Sequence, residues 1–390
     1  MGRVGRSYAF LLFLVSFCCL VASSRSKGKA AVAQEPTATS DNGEDIPGFD
    51  VRKLMLESAD HLIYVFLCMI AFVFAYAYLS ARFAHYDLKG KHVFITGGSS
   101  GIGIAVAKEY IKRGANITIA ARNMEKLAEA VKMLEIYDRS VNKEHHKVIS
   151  VSVDVSSSES VVEKAMRSAV STMGREVDVL INCAGTSIAG AFDEISTDSF
   201  QNLFSTNVLG SVYPTRCAMK GMKECKDGRI VFVASQVAQC AIHGYSAYAA
   251  SKWALRGLAE SLQMELKPYN VLVSVVYPPD TDTPGYELEM KSKPFLTKKL
   301  SESGSVFKAE EVARDIVNYS NKGYFGISTG LDGWLLKQLH PGMSPVNVFW
   351  EVLQQIAFAP LARAISIFYL KVWDAECFAH AASQNSKKED

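Results

Sequence analysis

The sequence predicts an α/β fold with a doubly wound parallel sheet, and three observations support this prediction. Short apolar, β-branched runs alternate with stretches of helical spacing from Lys91 onward. The runs are nearly continuous in their apolar residues, which is typical of parallel strands covered by helices on both faces. A glycine-rich segment, Thr96-Gly-Gly-Ser-Ser-Gly-Ile-Gly103, follows the first run and opens the first helix. In such folds ligands bind at the carboxyl ends of the strands.

The elements are expected in strict alternation within a domain spanning 89–330. Strands are predicted at 92–96, 115–121, 148–153, 177–182, 229–235 and 271–277, with helices at 102–113, 123–138, 157–173, 196–224 and 246–267. Residues 285–305 form a weakly patterned polar insertion, which is either a substrate lid or an ordinary surface loop. A helix at 308–321 and a short strand at 324–329 complete the domain.

Two apolar segments precede this domain. Residues 8–21 form a short apolar run that follows Arg3 and Arg6 and precedes the small residues at 22–24. This pattern predicts a signal peptide at 1–24, and an uncleaved membrane helix is the alternative. Residues 62–80 carry no charge and are long enough to cross a bilayer core of about 30 Å, so an N-terminal transmembrane helix is expected there. The segment between them, 25–60, is expected to be disordered and luminal, which leaves the main domain in the cytosol.

The C-terminal region, 331–390, contains a second apolar stretch at 346–373. Its charged residues and Pro360 argue against a single clean membrane span. A helix lying on the membrane and a helix packing against the domain or a second copy remain as alternatives. The final Lys387-Lys-Glu-Asp390 resembles a cytosolic retrieval signal of the endoplasmic reticulum, and an ordinary charged tail is the alternative.

The composition excludes several classes of function. A formal net charge of +2 gives no general reason to expect a nucleic-acid partner. The eight cysteines are scattered, without a C-x-x-C pair or neighbouring histidines at ligand spacing. We therefore expect buried thiols of a reduced compartment, with neither a disulfide framework nor a metal site.

The glycine segment predicts a dinucleotide site. Gly97, Gly101 and Gly103 permit a tight turn and let backbone N–H groups approach a pyrophosphate at the positive end of a helix. Glycine spacing alone is weak evidence, and the strand–loop–helix context strengthens it. Ser99 and Ser100 would add hydroxyl groups for phosphate.

The end of the second strand indicates which dinucleotide binds. A carboxylate there usually accepts from the ribose of NAD, whereas an arginine accommodates a 2′-phosphate. This strand ends in Arg122, with no acid until Glu125, which predicts NADPH; Arg122 is otherwise a solvated residue at a helix start. Asp154 would either accept from the adenine amine or cap the following helix.

Tyr248 and Lys252 are four residues apart on a predicted helix, so their side chains share a face. A neighbouring ammonium favours the phenolate and should lower the pKa of Tyr248, which suits a general acid for a carbonyl substrate. Ser235 ends the fifth strand and Asn207 lies within a long helix, where a buried amide disturbs helical bonding. Each residue also has an ordinary structural interpretation, and only their order behind the glycine segment favours catalysis.

Together these motifs resemble the short-chain dehydrogenase/reductase family over about 89–329. The resemblance rests on the T-G-x-x-x-G-x-G segment, the turn Asn182-Cys-Ala-Gly185, and the Asn, Ser and Y-x-x-x-K residues above. It implies a Rossmann-type fold in which Tyr248 donates a proton and Ser235 orients the carbonyl. Lys252 would bind the nicotinamide ribose and lower the pKa of Tyr248, and Asn207 would hold a relay water.

The resemblance also implies the residues that contact NADPH. By position in the motifs these are Gly97, Ser99, Ser100, Gly101, Ile102, Gly103, Arg122, Asp154, Asn182, Ala184, Gly185, Tyr248, Lys252, Pro278, Thr281 and Thr283.

A narrower similarity concerns Tyr277-Pro-Pro-Asp-Thr-Asp-Thr-Pro-Gly285, which departs from the Pro-Gly usual in the family. This segment is similar to family members that act on a long-chain sphingoid ketone, as are Gly210-Ser-Val-Tyr-Pro214, Arg256-Gly-Leu-Ala-Glu260 and Met264-Glu-Leu-Lys-Pro-Tyr-Asn270. This similarity implies that the protein reduces 3-ketosphinganine to sphinganine at the endoplasmic reticulum membrane. The family resemblance implies that it does so as a homo-oligomer. A steroid, retinoid or fatty-acyl ketone reductase and a non-catalytic nucleotide-binding scaffold are the alternatives.

Overall fold

The computed structural model describes residues 86–301 and 304–389, with side chains described as far as residue 383. The predicted signal peptide, luminal segment and transmembrane helix at 62–80 lie outside the described residues. Most of the predicted α/β domain at 89–330 and most of the C-terminal region lie within them.

Seven parallel strands form the central sheet, in the order β3-β2-β1-β4-β5-β6-β9. Their bounds are β1 His92–Thr96, β2 Asn116–Ala121, β3 Val148–Ser152, β4 Val179–Asn182, β5 Gly228–Val233, β6 Val271–Tyr277 and β9 Gly326–Ser328. A separate parallel pair joins β7, Thr281–Asp282, to β8, Phe307–Lys308. The chain order reverses between β1 and β4, which is the switch point where a doubly wound sheet binds its ligand. The predicted fold class is confirmed.

Helices connect the strands and cover both faces of the sheet. Their bounds are α1 Gly101–Ile111, α2 Met124–Val141, α3 Glu159–Met173, α4 Thr197–Phe204, α5 Gly210–Cys225, α6 Ser246–Leu266, α7 Pro284–Ser292, α8 Phe295–Ser301, α9 Ala309–Asn321, α10 Gly330–Leu339 and α11 Phe349–Glu389. Most differ from the predicted bounds by one to three residues, because the pattern of apolar residues does not show where backbone hydrogen bonding stops.

The two faces of the sheet carry separate apolar cores. Successive residues of a strand point to opposite faces. Ile95 accordingly packs with Val106 and Ile316 on one face, and its neighbour Phe94 packs with Leu180 on the other. This alternation explains why β1 is buried throughout, since each of its faces is covered.

The predicted long helix at 196–224 is interrupted. Residues Ser205–Leu209 form one π turn between α4 and α5, with Gly210 donating from its N–H to the carbonyl of Ser205. Such turns recur at functional sites. The interruption places Asn207 inside the turn with its side chain fully buried.

The predicted polar insertion at 285–305 contains two short helices, α7 and α8, in its described residues. Thr283 caps α7 by accepting from the N–H of Tyr286 at 3.1 Å. On α8, Leu296, Thr297 and Leu300 are buried, so this segment packs against the domain. It is therefore more ordered than the surface loop that the sequence left as one alternative.

α11 is continuous through Pro360, the residue that, with the charged residues, argued against a single clean membrane span. Within residues 86–301 and 304–389, it is the one helix long and apolar enough to cross a membrane, over Phe349–Ser383 with mean hydropathy 1.4. Arg256 on α6 fixes the preceding connection by donating to the carbonyl of His340 at 2.6 Å and to Ser344 at 2.8 Å.

Candidate active site

The loop between β1 and α1 has the backbone shape that a pyrophosphate site requires. Gly97 and Gly101 have φ angles of +68° and +53°, a region that favours glycine. A side chain at position 103 would collide with the backbone of Gly97, so α1 can approach the loop only through a glycine there. Ile102, between Gly101 and Gly103, packs against the apolar core that contains Ile95.

The loop after β4 lies directly beside the glycine loop. Thr96 holds the two strand ends together, because its Oγ1 accepts from the N–H groups of Cys183 and Ala184, both at 3.1 Å. A side chain on Gly97 would come within 2.9 Å of the Ala184 backbone. The predicted residues Gly97 and Ala184 are thus brought together at the switch point of the sheet.

Hydroxyl groups surround the same loop. Ser99 is partly buried, and Ser100 is exposed just before α1, where its side chain makes no capping hydrogen bond. Thr283 lies across the loop: its methyl carbon would be 3.1 Å from the Cβ of any side chain that replaced Gly101. Thr281 is buried and donates to the carbonyl of Pro279, so its hydroxyl already has a partner. The carbonyl of Pro278 accepts from the N–H of Gln236 at 3.0 Å, which joins this segment to the end of β5.

The end of β2 offers a cation where a 2′-phosphate would lie. Arg122 is exposed, and its positive charge acts on the carboxylate of Asp154. Burial favours a higher pKa for Asp154, but hydrogen bonds from Ser156 and the charge of Arg122 outweigh it, so the pKa is lowered. Asp154 does not cap α3, because Ser158 occupies that position and accepts from Val161.

These residues fit NADPH. The glycine loop is free of side chains where the pyrophosphate would approach, and the exposed hydroxyl of Ser100 stands at the positive end of α1. The described end of β2 carries the guanidinium of Arg122 and no acid before Glu125. An NAD ribose would find no carboxylate there, whereas a phosphate would find a counter-charge.

Tyr248 and Ser235 meet at the carboxyl end of the sheet. Ser235 follows β5 and stands at hydrogen-bonding range of the Tyr248 hydroxyl on α6. Burial raises the pKa of Tyr248 well above its usual range, the charges of Glu289 and Asp280 raise it further, and the hydrogen bond from Ser235 opposes them. The phenol is therefore held protonated at neutral pH, as a proton donor must be.

Lys252 is buried, and its Nζ donates to the carbonyl of Val233 at 2.9 Å. Burial lowers its pKa to about 8. Its Nζ lies 5.8 Å from the centre of the Tyr248 ring and is not among the groups that shift the pKa of that phenol. The predicted lowering of the Tyr248 pKa by Lys252 is wrong: burial and the carboxylates of Glu289 and Asp280 raise this pKa instead.

Asn207 is fixed beside Lys252 by three hydrogen bonds. Its Oδ1 accepts from the N–H of Thr186, and its Nδ2 donates to the carbonyl of Thr186 and to Ser251, each at 2.9 Å. A side chain on Gly185 would lie 3.2 Å from both Asn207 Oδ1 and Lys252 Nζ. The two polar groups therefore lie close to each other beside Gly185, and the water relay between them stays a prediction.

Asn182 is placed differently from the other predicted contacts. Its side chain is fully buried and donates from Nδ2 to Thr215 on α5 at 2.9 Å. The amide therefore ties β4 to α5, and a contact of this side chain with NADPH stays a prediction.

A charged cluster beside Tyr248 was missed from the sequence. Glu289 on α7 accepts from the hydroxyls of Tyr245 and Ser187, and Lys293 and Asp280 lie next to it. The i,i+4 spacing of Glu289 and Lys293 is the signal that was present, but nothing local shows that this face of α7 turns toward Tyr248.

A Ser–Tyr–Lys set at the switch point of a parallel sheet, next to a dinucleotide loop, defines a dinucleotide-dependent oxidoreductase. The sequence profile of the short chain dehydrogenase family matches residues 91–292. The chain is 50% identical over 288 residues to a Bos taurus 3-ketodihydrosphingosine reductase, covering 74% of this chain and 86% of that protein. It is 47% identical over 319 residues to a Danio rerio 3-dehydrosphinganine reductase, covering 80% and 94% respectively. This chain belongs to the short-chain dehydrogenase family.

Solved structures of the family share the fold. L-sorbose reductase from Gluconobacter frateurii, solved in complex with NADPH and L-sorbose, superposes with a TM-score of 0.55 at 26% identity. The match covers 64% of this chain and 98% of that one.

Proposed function

We propose that this chain reduces the ketone of 3-ketosphinganine to the alcohol of sphinganine, using NADPH. One observation carries the proposal: relatives named as reductases of this ketone are about half identical over nearly their whole length. The site supports it with a protonated phenol, a hydroxyl beside it and a 2′-phosphate counter-charge. The complete Asn207, Ser235, Tyr248 and Lys252 set argues against a non-catalytic scaffold, which has no need of all four.

NADPH supplies the hydride, and the protein positions the ketone and supplies the proton. The hydroxyl of Ser235 donates to the substrate carbonyl oxygen and holds it next to Tyr248. Tyr248 then gives its proton to the oxygen as negative charge develops there. The residues that would hold the cofactor are the glycine loop, Arg122 and the 278–283 segment.

Lys252 and Asn207 return a proton to Tyr248. With a pKa of about 8, Lys252 exchanges protons readily near neutral pH. Asn207 stands beside it within the π turn, and a water between the two groups would be held by both. We propose that this pair connects the phenol to solvent through that water.

We further propose that the protein acts at the endoplasmic reticulum membrane, with the domain in the cytosol and a second copy paired through α5 and α6. Two features support membrane attachment: the apolar helix α11 and the uncharged segment at 62–80. A long-chain ketone dissolves in the bilayer, so an enzyme held at the membrane reaches it directly. The di-lysine tail and the resemblance support the compartment and the paired state.

The test uses the full chain in detergent with NADPH and 3-ketosphinganine, and product identification by mass spectrometry. We expect sphinganine, and a loss of turnover by about 10²-fold or more in Tyr248→Phe, with NADPH binding retained. Tyr269→Phe, at a partly exposed tyrosine away from the site, should behave as wild type. NADPH binding without turnover of any ketone would favour the scaffold, and reduction of other ketones alone would favour a different substrate.

A further inference from the structure

Glu289 on α7 is held against the catalytic helix. Its two carboxylate oxygens accept from different segments, Oε2 from Ser187 at 2.6 Å and Oε1 from Tyr245. Tyr245 is three residues before Tyr248, and the centres of their rings are 5.5 Å apart. Glu289 is thus a largely buried carboxylate at the edge of the reaction site, although α7 lies far from that helix in sequence.

The charges around Glu289 do not balance. Lys293 lies 3.6 Å from Glu289 and 3.7 Å from Asp280, in ion-pair range of both but beyond hydrogen-bonding distance, and its side chain has no exposed surface. Two carboxylates and one ammonium leave the cluster formally with one negative charge. A buried uncompensated charge is costly, so such a cluster is suited to a cationic partner.

The excess negative charge is directed at the reacting atoms. Glu289 and Asp280 are the two acidic groups that raise the pKa of Tyr248. The field of these two carboxylates therefore reaches the phenolic oxygen of Tyr248. The carbonyl oxygen of the substrate must lie next to that oxygen to receive its proton. For a neutral ketone this arrangement is unfavourable, because the field opposes the negative charge that develops on that oxygen.

The proposed substrate resolves this conflict. 3-Ketosphinganine carries an ammonium on the carbon next to its ketone. When the carbonyl oxygen contacts Tyr248 and Ser235, the nitrogen must lie close by, within the field of the two carboxylates. We propose that Glu289, with Asp280 behind it, binds the ammonium of the substrate and thereby selects 2-amino ketones, an inference that rests on the proposed function.

Binding of the ammonium has a second consequence. It neutralises the excess charge of the cluster at the moment when the carbonyl oxygen becomes negative. The field that keeps Tyr248 protonated in the free protein is then reduced, and proton transfer to the substrate becomes easier. Glu289 is accordingly a specificity residue that also assists the reaction through the substrate.

A structural role is the main alternative to test against. The bonds from Ser187 and Tyr245 also fix α7 over the site, so loss of Glu289 could act by loosening α7. Tyr245→Phe separates the two roles, because it removes one of these bonds and keeps the carboxylate. Glu287→Gln, at an exposed position of the same helix, is the matched control for charge on α7.

The experiment measures kcat/KM of the full chain in detergent with NADPH for two ketones. One is 3-ketosphinganine, and the other is its deaminated analogue, which keeps the hydroxyl, the ketone and the alkyl chain. We expect Glu289→Gln to lower kcat/KM for 3-ketosphinganine on the order of 10- to 100-fold, the effect of one charge-assisted hydrogen bond. For the deaminated ketone the same variant should equal or exceed wild type. Tyr245→Phe and Glu287→Gln should retain the wild-type preference between the ketones.

An equal loss of kcat/KM on both ketones in Glu289→Gln would overturn the inference and assign Glu289 to the position of α7 alone. Equal turnover of both ketones by wild type would also overturn it, with the proposed function intact. If wild type reduces only ketones unrelated to sphinganine, the proposed function fails, and the inference with it.

Discussion

At the scale of single residues, burial decides the chemistry of this site more than spacing does. The four-residue interval correctly places Tyr248 and Lys252 on one face of α6. The pKa of each depends instead on desolvation, and that of Tyr248 depends also on two carboxylates from a later segment, which no local pattern reveals. The shared helix face of Tyr248 and Lys252 was therefore predictable from the sequence, whereas the direction of the Tyr248 pKa shift was not.

The buried Lys252 predicts a specific dependence of stability on pH. Its pKa falls from 10.5 in the unfolded chain to about 8 in the folded one. Below pH 8 both states carry the charge, and the folded state bears the full cost of burying it. Between pH 8 and 10.5 only the unfolded state keeps the proton, so the free energy of unfolding contributed by this group rises with pH, by on the order of 3 kcal/mol at most.

We therefore expect Lys252→Met to gain melting temperature relative to wild type near pH 7.5, and to lose that gain toward pH 10. Thermal denaturation without NADPH measures the difference, and subtraction removes the titration of other groups. Lys291→Met, at an exposed position on α7, should differ from wild type by a constant amount. A constant difference for Lys252→Met as well would show that the ammonium is not desolvated.

At the scale of elements, local patterns predict the sheet well and the irregular parts poorly. The strands and the glycine loop follow from residues adjacent in sequence, and all seven predicted strands are present in the main sheet. The π turn depends on Asn207 bonding to Thr186 and Ser251, which come from other parts of the chain. The helices of the 285–305 segment are short, and their few buried residues acquire a pattern only when the domain surface is known.

Two helical glycines give a matched test of the dinucleotide loop. A methyl group at Gly103 would contact the backbone of Gly97 and Gly98, whereas at Gly257 on α6 it would meet nothing within 4 Å. We expect Gly103→Ala to destabilise the protein by about 1–3 kcal/mol and to weaken NADPH binding by roughly tenfold or more. Gly257→Ala should raise stability by up to about 1 kcal/mol and leave binding unchanged. Melting curves and NADPH titration measure both, and normal binding by Gly103→Ala would contradict the assigned loop.

At the scale of the whole molecule, the distribution of exposed apolar residues separates the catalytic domain from its C-terminal helix. Among described side chains, α11 exposes Ile356, Leu361, Phe368 and Phe378 by 71%, 58%, 67% and 78%. Only 6% of its most apolar window is buried within the protein. A solvent-exposed helix of this kind is rare in soluble proteins, and this contrast favours a bilayer as the surrounding of α11.

Charged substitutions at equally exposed positions should distinguish a bilayer from water around α11. In a chain beginning at residue 86, so that the predicted N-terminal span is absent, we expect Phe368→Glu with Phe378→Glu to abolish most recovery with floated lipid vesicles. Carboxylates in the apolar layer cost about 2.5–3.5 kcal/mol each, whereas on a solvated surface such changes are nearly neutral. The control pairs Met124→Glu with Met264→Glu, at domain residues exposed by 72% and 70%, and should float as the unsubstituted chain does. Equal flotation of both double variants would place α11 outside the membrane and leave attachment to the segment at 62–80.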